Sequence, residues 1–178
     1  TILSWNDWFI HLLFFHYKRS PMAIEIEKKF LIKRIPIEQI SYSESIKQGY
    51  IVSDKKKVIR VREKGNDFFI TIKGNKIGIS RFEFEYKIPR SDALELFENF
   101  CEIGSIDKTR HYVKHNNHIW EIDEFHKDNQ GLIVAEIELN SEDEKFDIPD
   151  WISEEVTSDP KYYNMNLTVA PYKSWEDK

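Results

Sequence analysis

The sequence predicts a mainly β fold, in which an antiparallel sheet curves strongly or closes into a barrel and carries a few peripheral helices. About eight segments alternate apolar and polar residues with the period of two that is typical of strands with one buried face. Two turn sequences, Gly65-Asn66 and Asn116-Asn117, join neighbouring segments as hairpins. Acidic and basic residues recur on one face of at least six segments, which favours a closed sheet with these charges inside.

The predicted elements follow one another along the chain with one clear helix among them. The strands are expected at residues 23–32, 43–52, 58–64, 67–73, 79–88, 108–115, 118–125 and 132–139. The helix opens after Pro89, with Ser91 or Asp92 as its N-cap, and ends before Gly104. The C-terminal part of the chain contains Pro149 and Pro160 and is predicted to form short helices and irregular structure.

The chain is predicted to hold one domain, at residues 22–170, followed by a short tail at 171–178. Residues 1–21 form an extension whose biological status the sequence leaves open. Its apolar stretch is too short and too polar to cross a membrane, and it lacks the basic start and cleavage site of a signal peptide. We therefore expect no membrane partner, with a peripheral amphipathic helix as the alternative for this extension.

The composition of the sequence indicates which cellular compartment and which binding partners to expect. The net charge of −5 argues against nucleic acid as the main partner, because proteins that bind duplexes usually carry a net basic face. The single cysteine, Cys101, excludes an internal disulfide and fits a reducing, cytoplasmic location. A homodimer is the commonest assembly for a small enzyme, and the sequence does not exclude it.

Four pairs of acidic residues, each separated by one residue, lie in predicted strands. Side chains at positions i and i+2 of a strand point to the same face, so each pair places two like charges side by side. A solvated face usually mixes signs, because adjacent like charges cost free energy. A divalent metal ion bound between the acids would explain the pattern. The pairs are Glu25/Glu27, Glu83/Glu85, Glu121/Asp123 and Glu136/Glu138.

Basic residues share these faces, while the opposite faces of the same strands are apolar. Guanidinium and ammonium groups bind phosphate, and carboxylates bind metal, so together they predict a site for a polyphosphate and a metal ion. The candidate phosphate-binding residues are Lys29, Arg60, Arg62, Lys73, Arg81, Lys87, Lys108 and Arg110.

A set of short segments resembles the CYTH superfamily, also called triphosphate tunnel metalloenzymes. EIEKKFL at 25–31 is close to the ExExK signature of that family. The other matching segments come in the family's order and at its spacing: KQGYI (47–51), IRVRE (59–63), TIKG (71–74), SRFEFEYKI (80–88), KTRHY (108–112), WEIDEF (120–125), AEIEL (135–139) and EEVTSDPKYYN (154–164). The resemblance covers 22 to about 167 and is strongest to small bacterial members, several of which are inorganic triphosphatases.

The resemblance implies an eight-stranded, antiparallel, closed β-barrel that holds a triphosphate in its charged interior. Within this frame, Glu136 and Glu138 are expected to bind the metal that bridges the phosphates. Glu25 and Glu27 are expected to hold a second metal or to orient the attacking water, and Asp123 is a further ligand candidate, together with Glu121. Oxygen ligands without a His or Cys cluster suit Mg²⁺ or Mn²⁺, between which the sequence does not choose.

The expected reaction is hydrolysis of inorganic triphosphate to diphosphate and phosphate. The resemblance offers two proton acceptors, Lys108 and Tyr50, and the sequence does not decide between them. The alternatives that keep the tunnel are a thiamine-triphosphatase, with Trp120 and Trp151 as an aromatic clamp, a nucleoside triphosphatase and a class IV-type adenylate cyclase. A non-catalytic polyphosphate-binding module and a salt-bridged structural β-protein are the alternatives outside catalysis.

Overall fold

The computed structural model describes residues 24–54 and 56–175, so the extension at 1–21 lies outside the described residues. The strands are β1 Ile24–Ile32, β2 Ile40–Ser53, β3 Val58–Lys64, β4 Asp67–Lys73, β5 Ser80–Lys87, β6 Ser105–His115, β7 His118–Phe125, β8 Ile133–Glu138 and β9 Ile152–Glu155. The two α-helices of the described residues are α1 Arg90–Phe100 and α2 Asn166–Val169.

Eight strands close into an antiparallel barrel, as predicted. The order of neighbours is β5-β4-β3-β2-β6-β7-β8-β1, and β1 also pairs with β5, which completes the ring. Glu25 lies opposite Arg81 in this closing pair. The short β9 pairs with the far end of β1, from Phe30 to Ile32, where β5 no longer reaches. β1 therefore has three partners and fixes the point of closure.

Most predicted strands are found within a few residues, and two details are wrong. Helix α1 begins at Arg90 with Pro89 in the N-cap position and no side-chain cap, so neither Ser91 nor Asp92 is the N-cap. Ser91 instead donates a hydrogen bond to the carboxylate of Asp92. The prediction also missed β9, because four residues are too few to display an alternating pattern.

Apolar residues on the outer face of the barrel form two cores. The larger core joins Trp120 of β7 and Phe30 of β1 to Trp151, which precedes β9. The indole rings of Trp120 and Trp151 are fully buried and meet edge to face, with centroids 5.5 Å apart. In the smaller core, Ala93 of α1 packs against Val61 and Phe68. These cores hold the barrel wall from outside and leave its interior to polar side chains.

One end of the barrel is closed by apolar residues. The inward positions there include Tyr50, Ile106 and Phe125, and they pack against Tyr162 and Leu167 of the C-terminal segment. This segment, residues 156–175, covers that apolar end of the barrel, which we call the closed end. No helix in the described ranges is long and apolar enough to span a membrane.

Candidate active site in the barrel interior

Strand register brings the predicted acids and bases together inside the barrel. Residues paired across neighbouring strands point to the same face, so a closed ring of pairs gives one continuous lining. Most of the paired positions inside the barrel combine opposite charges, but Glu27 lies opposite Glu138 and Glu121 lies opposite Glu136, so two pairs bring acids together. The interior pairs are Glu25 with Arg81, Lys29 with Glu136, Glu27 with Glu138, Lys73 with Glu83, and Arg110 with Asp123.

Asp123 is the most completely satisfied charge of the lining. It is fully buried and accepts two hydrogen bonds of 2.7 Å from Arg110 and another from the Lys108 ammonium. Burial lowers the pKa of Lys108 to about 8, although Asp123 acts in the opposite direction. The carboxylate therefore anchors two cations, and one of them can lose its proton near neutral pH.

Glu136 lies between two cations, Lys29 on the neighbouring strand β1 and Arg110 on β6, two strands away. It forms an ion pair with Lys29, and Arg110 donates a hydrogen bond of 2.7 Å to its other oxygen. Burial alone would raise the pKa of Glu136, but Lys29 and Arg110 hold it well below its usual range. Glu136 is therefore an ionised carboxylate deep in the barrel.

A second cluster lies where the barrel closes between β5 and β1. The Glu25 carboxylate accepts hydrogen bonds from Lys73 at 2.8 Å and from Arg81 at 2.5 Å. Lys73 also pairs with Glu83. Burial would raise the pKa of Glu83, but the charges of Lys73 and Arg60 lower it to about 2. The acids of this cluster hold the basic side chains in place.

Two arginines of β3 are the least satisfied cations of the lining. Arg62 donates a hydrogen bond of 2.6 Å to Glu85, whereas Arg60 reaches Glu83 and Glu85 only at 3.8 and 3.9 Å. Among the described residues, the Nε atoms of Arg60 and Arg62 are buried without a hydrogen-bond partner. Buried donors without acceptors are costly in a folded protein, and an anion bound inside the barrel would satisfy them.

The exposure of the lining shows where the interior opens. Side-chain exposure is 1% at Lys108, near the closed end, and 60% at Lys87. Lys87 pairs with Asp67 at 2.6 Å on the rim of the barrel, away from the buried cations. It was predicted to bind substrate, and the structure places it at the entrance rather than with the other predicted residues.

Tyr50 lies at the closed end, and its surroundings keep it protonated. Its hydroxyl accepts a hydrogen bond of 2.7 Å from Gln48, and its ring packs in the apolar cluster. Burial raises the pKa of Tyr50 to about 12, despite the nearby charge of Arg60. A phenol in this environment is a poorer proton acceptor than the amine of Lys108.

The oxygen atoms of Glu27, Glu136 and Glu138 are the donors that fit a divalent metal ion best. Glu138 makes no side-chain ion pair or hydrogen bond with a described residue, and partial desolvation raises its pKa to about 7, even though the side chain still reaches solvent. Within the described ranges no group of three Asp, Glu, His or Cys side chains stands together as a metal site. The donor chemistry nevertheless fits Mg²⁺ or Mn²⁺.

The predicted metal ligands other than Glu138 are all paired with cations, and two of them accept three hydrogen bonds each from cationic groups, against two for Glu136 and one for Glu27. Asp123 is fully occupied by Lys108 and Arg110, and Glu25 is held by Lys73 and Arg81. We leave both out of the proposed metal site. One interior group escaped the sequence prediction altogether. Lys76 lies in the loop between β4 and β5, where no strand alternation identifies a face.

Comparison with known proteins gives a consistent result. Residues 23–166 match the model of the CYTH domain family. The chain is 44% identical over 156 residues to the inorganic triphosphatase of Acetivibrio thermocellus, covering 88% of this chain and all of that protein. It is 32% identical over 150 residues to the inorganic triphosphatase of Nitrosomonas europaea, covering 82% of this chain and 97% of that protein. A crystal structure of an inorganic triphosphatase aligns with a TM-score of 0.60 and 30% identity, covering 82% of this chain and 97% of its own.

Proposed function

The chain belongs to the CYTH domain family, and on that premise we propose that it hydrolyses inorganic triphosphate to diphosphate and phosphate inside the barrel, with the help of a divalent metal ion. The observation that carries the proposal is the buried, cation-lined interior in which Arg60 and Arg62 keep unsatisfied donors. The activity that gives two similar proteins their names, inorganic triphosphatase, supports the same substrate.

The cations of the lining are proposed to bind the triphosphate oxygens. Triphosphate carries several negative charges, and binding it in a closed interior needs neutralisation from more than one side. Arginines suit bidentate contacts with phosphate, and lysines supply compact charges. The proposed substrate-binding residues are Lys29, Arg60, Arg62, Lys73, Arg81 and Arg110, with Lys87 at the entrance.

Glu27, Glu136 and Glu138 are the proposed ligands of the metal ion, Mg²⁺ or Mn²⁺. When bound, such an ion neutralises charge on the phosphates and lowers the pKa of a water molecule. Glu136 would then bind the metal ion and lose part of its contacts with Lys29 and Arg110. Those two cations would become available to the substrate, so the same side chains serve both states of the site.

Lys108 is the proposed proton acceptor. In the reaction, the water oxygen forms a bond to a terminal phosphorus, the bond between that phosphorus and the bridging oxygen breaks, and diphosphate leaves. The proton of the water passes to the neutral amine of Lys108, whose pKa burial lowers to about 8. Asp123 orients this amine and stabilises the ammonium that results. The high pKa of Tyr50 disfavours it for the same task.

The structure weakens two of the alternative functions. Trp120 and Trp151 were the candidate clamp for thiamine, but both rings are fully buried in the outer core and do not face the interior. A non-catalytic module for polyphosphate would not need the acidic residues Glu27 and Glu138, which lie opposite each other and repel an anion. Nucleoside triphosphates are the competing substrates, since the lining becomes exposed to solvent at Lys87 on the rim of the barrel.

A substrate panel tests the proposal. Phosphate release would be measured from inorganic triphosphate, ATP, thiamine triphosphate and diphosphate, with Mg²⁺, with Mn²⁺ and with a chelator. We expect fast turnover of inorganic triphosphate that the chelator abolishes. Faster turnover of ATP or thiamine triphosphate than of inorganic triphosphate would show that the proposed substrate is wrong. Tight binding of triphosphate without turnover under any condition would refute the hydrolase.

A further inference from the structure

The loop between β4 and β5 carries one basic residue, Lys76, close enough to the barrel lining for the charges of Glu27, Lys29 and Arg81 to act on it. Residues 74–79 are tied at both ends, because Gly74 donates a hydrogen bond to the carbonyl of Phe82 and Ile77 donates one to Ser80, each at 2.8 Å. Gly78 adopts a φ of +62°, a conformation that favours glycine. Lys76 stands between these anchors and is partly buried.

Contacts with the C-terminal segment hold Lys76 beside the interior. Its ammonium lies 3.5 Å from the carbonyl oxygen of Thr157 and 5.1 Å from the centre of the Tyr163 ring. The Tyr163 hydroxyl donates to the same carbonyl at 3.2 Å. Thr157 in turn accepts a hydrogen bond of 3.1 Å from the backbone of Lys29, a lining residue. The chain of contacts therefore connects the loop to the substrate-facing strand β1.

Lys76 has no carboxylate partner among the described residues, unlike most basic residues of the lining. Within the described residues its ammonium contacts a backbone carbonyl and an aromatic ring. The charges of the interior nevertheless act on Lys76. Burial lowers the pKa of Lys76, the charge of Glu27 raises it, and the charges of Lys29 and Arg81 lower it further. A partly buried ammonium without a carboxylate counter-ion gains most from an anion that arrives between these groups.

We propose that Lys76 is a further substrate-binding residue, whose ammonium contacts the terminal phosphate at the inner end of a triphosphate bound in the barrel. The inference rests on the proposed function. Tyr162 and Leu167 belong to the apolar cluster that closes this end of the barrel, which favours an unsubstituted phosphate over an organic group there. Lys76 would thus recognise the unsubstituted terminal phosphate of the substrate, and Tyr163 would position the Lys76 side chain.

The test compares Lys76→Ala, Lys76→Arg and, as a matched control, Lys145→Ala, which removes one exposed loop lysine on the outer surface. For Lys76→Ala we expect the KM for inorganic triphosphate to rise about tenfold, with kcat changed by less than about twofold, because one charge-assisted contact with the bound substrate is lost. Lys76→Arg should restore most of the affinity. The melting temperature without ligand should stay near that of the wild type, while stabilisation by triphosphate decreases.

The outcomes separate this inference from the proposed function. A wild-type protein that neither turns over triphosphate nor is stabilised by it would overturn both. Normal wild-type turnover with an unchanged KM in Lys76→Ala would overturn the role of Lys76 alone. A lower melting temperature without ligand, with no rescue by Lys76→Arg, would reassign Lys76 to a structural role in the loop.

Discussion

Individual charged residues of the barrel differ in how many of their hydrogen-bonding groups have a close partner. Asp123 accepts three hydrogen bonds and is fully buried, which makes it an anchor for its cations. Arg60 is also buried, but its guanidinium comes no closer than 3.8 Å to the carboxylates of Glu83 and Glu85. The first arrangement is complete without a ligand, and the second is completed by one. The degree of satisfaction therefore separates supporting residues from binding residues.

Substitution of Lys108 tests its role as proton acceptor. Only the neutral amine accepts a proton, so the wild-type kcat should rise with pH through about 8, the value to which burial lowers the pKa of Lys108. Lys108→Gln should lower kcat by roughly 10²–10⁴-fold and abolish this rise. Steady-state rates between pH 6 and 10 would measure both effects.

Tyr50→Phe is the comparison for this prediction, because Tyr50 was the other candidate. It should keep the pH profile of the wild type and lose little activity, since the hydroxyl stays protonated. If kcat still rises with pH in Lys108→Gln, or no longer rises in Tyr50→Phe, the phenol of Tyr50 would be the proton acceptor.

At the level of elements, the alternating pattern predicts strands well and ends of elements poorly. The hairpin of β3 and β4 lies where the sequence predicts it, because Gly65 supplies the positive φ of the turn. The N-cap of α1 was wrong because Pro89 already fixes the extended entry to the helix. β9 has no pattern of its own, and only its pairing with β1 makes it a strand. Tertiary contacts decide such short elements.

The closed end of the barrel depends on the short helix α2. Leu167 is almost fully buried among the apolar residues of that end, whereas Val169 in the same helix is 73% exposed. We expect Leu167→Ala to lower the free energy of unfolding by about 2–5 kcal/mol, through lost burial and the cavity left behind. Val169→Ala should change it by less than about 0.5 kcal/mol.

Denaturant unfolding followed by tryptophan fluorescence would measure these two effects. Equal effects of the two substitutions would mean that the C-terminal segment does not pack against the barrel as described.

For the molecule as a whole, the sequence predicts which face is charged but not which charges meet. The spacing of the acidic pairs places Glu25 and Glu27 on the charged face. The closure of the sheet into a barrel follows from the number of strands and from the resemblance to the CYTH superfamily. The contact of Arg110 with Glu136, two strands away, depends on the curvature of the sheet and on side-chain length. Lys76 could not be identified either, since a loop residue carries no facial pattern. The expected homodimer stays a prediction.

Substitution of Arg60 by Gln tests most directly whether the interior cations bind triphosphate. Arg60 makes only two long ion pairs, and Glu83 and Glu85 keep Lys73 and Arg62 as partners when it is removed. The measurement is kcat/KM for inorganic triphosphate with Mg²⁺, together with the melting temperature of the unliganded protein.

We predict that kcat/KM falls by about 100-fold or more in Arg60→Gln, because a buried guanidinium contact with the substrate is lost, while the melting temperature is unchanged or higher. Unchanged turnover together with a markedly lower melting temperature would contradict the account, since Arg60 would then serve the fold and not the substrate.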